Sequence, residues 1–337
     1  MTVEAFTPGL SLAIRWVLCT SSSERRLKGR RRPMHPDDED TLREFVLGSA
    51  FATHGAVITD LDGTAVIERE GRVHVAPEVE FGLKNLRDLG RPVAINTLRF
   101  PLNVVRTFGR AWASITDTPL PLVSLNGAIT GYLNETNGGA VVFEEIDALV
   151  LTASEIEEVL VGVRGMVGEG VTDLLLFHYP RDWTAGEIIW TPDEGRIEAV
   201  RGKYASASEV FGGSVAELET RLHQRDVCMI FLLVEIPQDR LMAYQHARPS
   251  SFVTHGGVDK LGGCRRLADS LGFDLAQSVG AGDTPMDTFL NGCGLALHVG
   301  PMQLEHKGLS ATLKVSTIPA MGEVLQRLAE LQREAVG

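Results

Sequence analysis

The sequence has 337 residues, which allows one large domain or two of ordinary size. Hydrophobic residues make up 44% of it and charged residues 23%, a composition typical of soluble globular proteins and not of disordered chains. The net charge of −12 argues against a nucleic-acid-binding surface, and no apolar run is long enough to span a bilayer. Four cysteines without a Cys-x-x-Cys pair indicate neither a zinc site nor a disulfide framework, so we expect a cytoplasmic protein.

The first segment, residues 1–34, differs from the rest because it contains the basic run 25–32. We interpret it as a basic, poorly ordered leader. A tail that binds nucleic acid or another anionic surface is an alternative. So is a translation start at Met34, because the foldable pattern begins only after that residue.

A short apolar strand follows, and it ends in two carboxylates. Val57 and Ile58 are typical of a buried parallel strand, and Asp60 and Asp62 come directly after it. Two carboxylates this close repel each other unless a cation lies between them or one keeps a proton. The stretch therefore predicts either a metal site or a pair formed by an acid and a nucleophile.

Strand and helix patterns then alternate, beginning with a small hairpin over residues 65–75. We predict helices over 77–90 and about 101–111, and strands over 92–97 and 122–125. Strands separated by helices at this spacing need right-handed crossovers, so the pattern predicts a parallel sheet.

The character of the sequence changes over residues 129–254, which we predict to be an inserted α+β domain. Strand-like and helical segments alternate irregularly there; the strands are predicted over 171–179, 187–191 and 227–236, and the helices over 154–163 and 215–225. The catalytic core would then comprise residues 35–128 and 255–337. Its second part contains a helix from Lys260, strands over 278–281 and 294–299, and a last helix over about 321–335.

Polar side chains suited to phosphate chemistry follow three of the predicted core strands. They are Asp60, Thr97 and Asp283. Because the carboxyl ends of parallel strands meet at one edge, these residues can share a site. Lys260, at a predicted helix start, could meet an anion at the same edge.

In chain order, these segments resemble the four motifs of the haloacid dehalogenase superfamily; they are Asp60-Leu61-Asp62-Gly63-Thr64, Thr97, Lys260 and Gly282-Asp283-x-x-x-Asp287. The insertion resembles the type-two cap (C2B-like) of its Cof-like and sucrose-phosphatase branch. The resemblance implies a doubly wound, Rossmann-like α/β core with an inserted α+β cap domain. Met286 and Leu98 depart from the branch's pattern, which usually has asparagine and glycine there.

The resemblance also implies a role for each motif residue. Asp60 would be the nucleophile, and Asp62 would protonate the leaving oxygen and then take a proton from water. Mg²⁺ would be held by Asp60, the backbone carbonyl of Asp62 and Asp283. Thr97 and Lys260 would bind the phosphate oxygens.

Two further residues have supporting or open roles. Asp287 would support the metal site or orient Lys260, according to the same resemblance. Asn126, which precedes Gly127, could form a tight turn or contact a ligand, and the sequence favours neither.

We therefore expect a Mg²⁺-dependent phosphatase that hydrolyses a small phosphorylated metabolite, a sugar phosphate among the candidates, and that binds neither nucleic acid nor membrane. One alternative is a phosphotransferase that passes the phosphoryl group to an acceptor other than water. The other is a catalytically silent protein that binds a phosphorylated ligand.

Overall fold

Two β-sheets, a small hairpin and the surrounding helices make up the fold, which we describe from a computed structural model. The described residues are 34–69, 72–113, 118–234 and 251–336. The chain divides into two units, Met1–His35 and Pro36–Gly337, and nearly all of the first, including the predicted leader, lies outside the described residues. Within the described ranges, none of the helices is long and apolar enough to cross a membrane.

The strands are numbered in chain order. They are β1 (Val57–Thr59), β2 (Val66–Arg69), β3 (Arg72–Val75), β4 (Val93–Asn96), β5 (Leu120–Ser124), β6 (Ile129–Glu135), β7 (Val141–Ala148), β8 (Leu174–Pro180), β9 (Ile188–Thr191), β10 (Glu209–Gly212), β11 (Val227–Val234), β12 (Ser251–Thr254), β13 (Val279–Gly282), β14 (Leu295–Val299) and β15 (Ala311–Val315).

The helices are numbered in the same way. They are α1 (Pro36–Gly48), α2 (Phe51–His54), α3 (Pro77–Asp88), α4 (Pro101–Val104), α5 (Arg110–Ala113), α6 (Ala153–Gly168), α7 (Ile197–Lys203), α8 (Val215–His223), α9 (Lys260–Leu271) and α10 (Ile318–Val336).

The large sheet has eight strands in the order β15-β14-β13-β1-β4-β5-β6-β7. The first six are parallel to one another, and β6 and β7 are antiparallel additions at one edge. The predicted parallel sheet of an α/β fold is therefore confirmed. Its central strand, β1, is fully buried because β4 and β13 pair with it on both sides and place Val93 and Val279 opposite Val57.

Helices pack against this sheet through apolar side chains. Cys264 and Leu267 of α9 join Ile58, Ala94 and Val123 of the central strands in one buried cluster. Pairing of α3 with α10 requires a residue without a side chain at position 82, because a Cβ there would lie 2.6 Å from Leu325 Cβ. The helix predicted over 101–111 is interrupted, since a π-helical turn, Val105–Gly109, separates α4 from α5.

The second sheet lies within the predicted insertion and has five strands in the order β10-β9-β8-β11-β12. Helices α6 and α8 cover it, and Leu160 and Leu222 from these helices pack with Leu174 and Trp190 in its buried core. Each helix starts with a capping box, formed by Thr152 with Glu155 and by Ser214 with Glu217, respectively.

The predicted insertion begins at residue 129, but the residues directly after that point continue the large sheet. Residues of β6 pair with β5, and β7 pairs with β6, over 129–148. The chain therefore reaches the second sheet only after residue 148 and returns after β12.

Candidate active site

The carboxyl edge of the large sheet brings three predicted site residues to neighbouring strands. Asp60 follows β1, Asp283 follows β13 and Thr97 follows β4. Because β1 pairs in parallel with both of the other strands, the three residues leave the sheet at the same edge. Asp60 is almost fully buried, at 5% exposure.

Lys260 reaches this edge from the first turn of α9. Asp259 caps the helix by accepting a hydrogen bond from the Gly262 amide at 2.6 Å. Asn96 Nδ2 donates to the Lys260 carbonyl oxygen at 2.9 Å, so the last residue of β4 fixes the start of the helix. The ammonium group then donates to Asp60 Oδ1 at 2.9 Å and to Asp287 Oδ1 at 2.7 Å.

Burial and charge act against each other in this cluster. Burial raises the pKa of the Asp60 carboxyl, and nearby Asp287 adds to the effect, whereas Lys260 opposes it. Burial lowers the pKa of Lys260, but its two carboxylate partners outweigh that effect, and the net shift is upward. Lys260 is therefore held as a cation, and a second cation at this edge would favour the ionised form of Asp60.

The loop after β13 is ordered by the second oxygen of Asp287. Asp287 Oδ2 accepts hydrogen bonds from the backbone amides of Asp283 at 2.9 Å and Thr284 at 2.8 Å. The Thr284 hydroxyl also donates to this oxygen at 3.2 Å. Met286, which replaces the asparagine usual in the resembled branch, is 36% exposed, and the loop is held without it.

Asp283 approaches the loop after β1 closely. The Thr64 hydroxyl donates to Asp283 Oδ1 at 2.8 Å. Gly63 has a φ of +78°, and a Cβ at that position would lie 2.1 Å from Asp283 Oδ2. The glycine of the Asp62-Gly63-Thr64 stretch is therefore required by both its backbone conformation and the nearby carboxylate.

The carboxylates of Asp60, Asp283 and Asp287 form a group that could hold a metal ion. Each offers an oxygen, and these three oxygens lie within 4.8 Å of one another. Burial raises the pKa of Asp283, with Thr64 opposing the shift. Oxygen ligands converging in this way suit Mg²⁺, so the residues present fit the metal that the resemblance implies.

Asp62 faces a different partner. Arg99 Nε donates to Asp62 Oδ2 at 2.7 Å, and Arg99 Nη2 donates to Asp62 Oδ1 at 2.6 Å. The guanidinium also lies 5.1 Å from the centroid of the Phe108 ring. A two-pronged bond of this kind fixes the orientation of a carboxylate as well as its position. No local pattern in the sequence predicts this role for Arg99.

Thr97 and Asn126 are joined to each other through the backbone. The Asn126 amide donates to the Thr97 carbonyl oxygen at 3.3 Å, and the Thr97 hydroxyl accepts from the Arg99 amide at 3.2 Å. Asn126 has a φ of 58°, so it does form a tight turn. Its side-chain Oδ1 is also buried without a hydrogen-bond partner among the described residues, so ligand contact stays open.

The structure thus brings Asp60, Lys260, Asp283 and Asp287 into one hydrogen-bonded network. Thr97 and Asn126 lie beside it on the adjoining strand ends, and Asp62 lies in the loop that also contains Thr64.

No family model matches the sequence, and no curated protein matches it. Solved structures do match. A HAD/COF-like hydrolase from Plasmodium vivax is 16% identical, with a TM-score of 0.62 over 86% of this chain and 99% of that one. A phosphatase of the haloalkanoate (HAD) superfamily from Bacteroides thetaiotaomicron is 16% identical, with a TM-score of 0.55 over 82% and 96% of the two chains. A subclass IIB sugar phosphatase of the superfamily is also 16% identical, with a TM-score of 0.56 over 80% and 96%.

These similarities show the fold. The chain shares the α/β fold of these structures, which are described as a HAD/COF-like hydrolase, a HAD phosphatase and a subclass IIB sugar phosphatase. The predicted fold class, and the resemblance in fold to members of the haloacid dehalogenase superfamily, are therefore confirmed.

Proposed function

We propose that this protein is a Mg²⁺-dependent phosphatase that hydrolyses a small phosphorylated metabolite through an aspartyl-phosphate intermediate. One observation carries the proposal. A buried lysine bridges Asp60 and Asp287, beside Asp283, at the edge where an α/β sheet binds its ligands. Such a cluster combines a carboxylate nucleophile with the cationic groups that a phosphate dianion requires.

Asp60 would attack phosphorus through a carboxylate oxygen, forming a bond to phosphorus as the bond to the ester oxygen breaks. Asp62 would act as the general acid that gives a proton to the departing oxygen. In the second half, Asp62 would take a proton from water as that water attacks phosphorus, which releases inorganic phosphate and restores Asp60.

The surrounding residues would bind and orient. Lys260 would hold a non-bridging phosphate oxygen, and Asp287 would keep the ammonium group in place. The Thr97 hydroxyl would bind a second oxygen, and Arg99 would orient the Asp62 carboxylate.

The metal would be held by Asp60, Asp283 and the backbone carbonyl of Asp62, with Asp287 supporting the loop. When bound, Mg²⁺ supplies positive charge that offsets the repulsion between carboxylate and phosphate and stabilises the transition state.

The second sheet would cover the leaving group and select the substrate. A sugar phosphate is the first candidate, since one of the similar structures is described as a sugar phosphatase. A cytoplasmic location remains a prediction from composition.

The deciding experiment is a panel of phosphate esters, including p-nitrophenyl phosphate and phosphorylated sugars, assayed with Mg²⁺ for release of inorganic phosphate. Asp60→Asn keeps the shape of the side chain but removes the nucleophile, so turnover should fall by a factor on the order of 10³ or more. The matched control is Asp269→Asn, which alters an exposed acid on α9 and should leave turnover unchanged.

Other results would favour another function. Turnover retained by Asp60→Asn, with circular dichroism showing an intact fold, would refute the nucleophile. Transfer of phosphate to an added alcohol or sugar in preference to water would establish the phosphotransferase. An inactive parent protein that still binds a panel ester would establish the silent binding protein.

A further inference from the structure

The chain passes between the two sheets twice, at short links that we name the first crossing, 149–151, and the return crossing, 255–259. Within the first crossing, the Leu149 amide donates to Ala128, next to the large sheet, and the Leu151 amide donates to Val227 of the second sheet, both at 2.8 Å. The chain thus changes from one sheet to the other within the length of this link.

The return crossing runs from the end of β12 to the start of α9. Its only described internal backbone bond is donated by the Val258 amide to the His255 carbonyl oxygen at 3.1 Å. Gly257 has a φ of +80°, and no heavy atom lies within 4 Å of the place where its Cβ would be. The middle of this link is therefore exposed and not packed against other segments at Gly257.

Both crossings converge on one side chain, Glu155, in the first turn of α6. Glu155 Oε2 accepts from the Thr152 amide at 2.7 Å, directly after the first crossing. Glu155 Oε1 accepts from the Gly256 amide at 2.7 Å, and Oε2 also lies 3.0 Å from His255 Nδ1. Oε1 thus binds the return crossing alone, whereas Oε2 contacts both Thr152, next to the first crossing, and His255 of the return crossing.

Glu155 is well suited to act as an ionised acceptor. Burial raises its pKa, but the hydrogen bonds from Thr152, His255 and Gly256 outweigh burial and lower the pKa to about 2. The carboxylate is therefore charged throughout the neutral range, and its hydrogen bonds are charge-assisted.

The capping box of α8, the other helix on the second sheet, shows that capping a helix does not require a glutamate that also binds a distant segment. Glu217 Oε2 accepts from the Ser214 amide at 2.8 Å, just as Glu155 Oε2 accepts from Thr152. The described contacts of Glu217 stay within its own capping box, whereas Glu155 reaches a segment about a hundred residues along the chain.

The return crossing leads directly to the candidate active site. Asp259 Oδ2 accepts from the Thr288 hydroxyl at 3.1 Å, and that hydroxyl accepts from the Leu261 amide at 3.1 Å. A Cβ at Gly127 would lie 2.1 Å from the Asp259 carbonyl oxygen, so this end of the link is tightly packed. Lys260 follows at once.

We propose that Glu155 is a positioning residue that ties both crossings to the second sheet, so that this sheet moves as one body relative to Lys260 and the phosphate site. Its motion would be confined to residues 149–151 and to the open middle of the return crossing at Gly257. The proposal rests on the phosphatase function above, because it concerns how the covering sheet is placed over a bound substrate.

The test compares Glu155→Gln with the matched control Glu217→Gln. Glutamine offers one acceptor oxygen, so at position 155 either the Gly256 amide or the Thr152 amide loses its acceptor and faces the side-chain NH₂ group instead. At position 217 a single oxygen suffices, because both bonds from Ser214 end on Oε2. Both changes remove the same charge from the first turn of a helix.

Two measurements are made on the full chain. Hydrogen exchange of residues 255–259, followed by mass spectrometry, should be about tenfold faster in Glu155→Gln than in the parent or in Glu217→Gln. With p-nitrophenyl phosphate and the fastest ester of the panel, KM should rise about threefold to tenfold in Glu155→Gln, with kcat within about twofold of the parent.

Equal exchange and equal KM in the two glutamine variants would overturn the proposal. If Glu155→Gln does not fold, the second variant is His255→Ala, which removes one bond to the Glu155 carboxylate and keeps the capping box. Hydrogen exchange at residues 255–259 should then be faster than in the parent, by a smaller factor than expected for Glu155→Gln. Unchanged exchange in His255→Ala would refute the proposal. The exchange measurement needs no substrate, so it tests the role of Glu155 even if the protein hydrolyses none of the esters. If the protein is an active phosphatase but exchange is unchanged in Glu155→Gln, the role of Glu155 is refuted and the phosphatase function is not.

Discussion

The two most deeply buried titratable nitrogen side chains among the described residues lie at different sheets and have opposite surroundings. Lys260, at the edge of the large sheet, is 2% exposed, and His178, on β8 of the second sheet, is 1% exposed. Lys260 donates to two carboxylates, whereas neither ring nitrogen of His178 has a hydrogen-bond partner among the described residues.

The consequence is that one group stays charged and the other stays neutral. The carboxylates around Lys260 raise its pKa against the effect of burial. Burial, together with Arg225 and Arg221, lowers the pKa of His178 to about 3. Burial of a titratable group is therefore not in itself a sign of a functional site; a buried charge with a complete set of partners is the stronger sign.

The largest expected effect comes from removing the charge at the large sheet. Lys260→Met would leave Asp60 and Asp287 buried next to each other without their shared cation. We expect the free energy of unfolding to fall by about 3–5 kcal/mol, measured by urea denaturation in the presence of EDTA. Phosphatase activity should be lost as well, because the phosphate would lose its lysine.

Lys84→Met is the matched control, since Lys84 lies half-exposed on α3 and its ammonium is 3.6 Å from Asp88. The free energy of unfolding should change by less than about 1 kcal/mol in this variant. Similar losses in both variants would mean that the buried lysine is not stabilised by its carboxylates in the way proposed.

The residues around Lys260 could be predicted from the sequence because simple geometry links them. Asp60 and Asp283 follow apolar strands, and the ends of parallel strands meet at one edge whatever their separation in the sequence. Lys260 and Asp287 were placed by their order in the motifs. No contact distance was needed to bring these four residues together.

Other features depend on contacts between distant segments and left no local signal. The predicted insertion, 129–254, includes the residues that form β6 and β7 of the large sheet, and an antiparallel strand pair has the same sequence pattern in either sheet. The bond of Arg99 to Asp62 and that of Glu155 to Gly256 join residues far apart in sequence. The break of the helix over 101–111 coincides with Gly109, where a Cβ would lie 2.9 Å from Val141 Cγ1.

The neutral histidine of the second sheet predicts a pH-dependent effect of intermediate size. Below its ordinary pKa of 6.5, the unfolded chain binds a proton at position 178 that the folded chain excludes until about pH 3. Stability is thus lost as the pH falls between these values, by up to about 1.4 kcal/mol per pH unit. His178→Leu removes this contribution, so its free energy of unfolding should exceed that of the parent increasingly from pH 6.5 to pH 4.5.

Urea denaturation at several pH values measures this difference. His223→Leu, at an exposed histidine at the end of α8, is the control for replacing a histidine by leucine. A constant difference between His178→Leu and the parent would show that His178 is protonated in the folded protein, contrary to its unpartnered burial.

The smallest effect on stability is expected at the ion pair of Arg99 and Asp62, which has a complete partner as Lys260 does but is partly exposed to water. Arg99 and Asp62 form a two-pronged bond like a buried pair, but the Asp62 side chain is 57% exposed. Water screens such a pair, so Arg99→Lys should lower the free energy of unfolding by less than about 1 kcal/mol. Lysine donates from a single point and cannot fix both oxygens of the carboxylate.

If Arg99 orients Asp62 for proton transfer, kcat should fall about tenfold in Arg99→Lys while the stability hardly changes. Arg106→Lys, at another arginine near the second sheet whose Nη1 donates to the Ser206 carbonyl oxygen at 3.3 Å, provides the control. Unchanged kcat in Arg99→Lys would show that the guanidinium has no role in proton transfer and only forms a surface ion pair with Asp62. A fall in kcat without loss of stability would instead show that, at this sheet edge, the arrangement of charge serves catalysis even where it contributes little to folding.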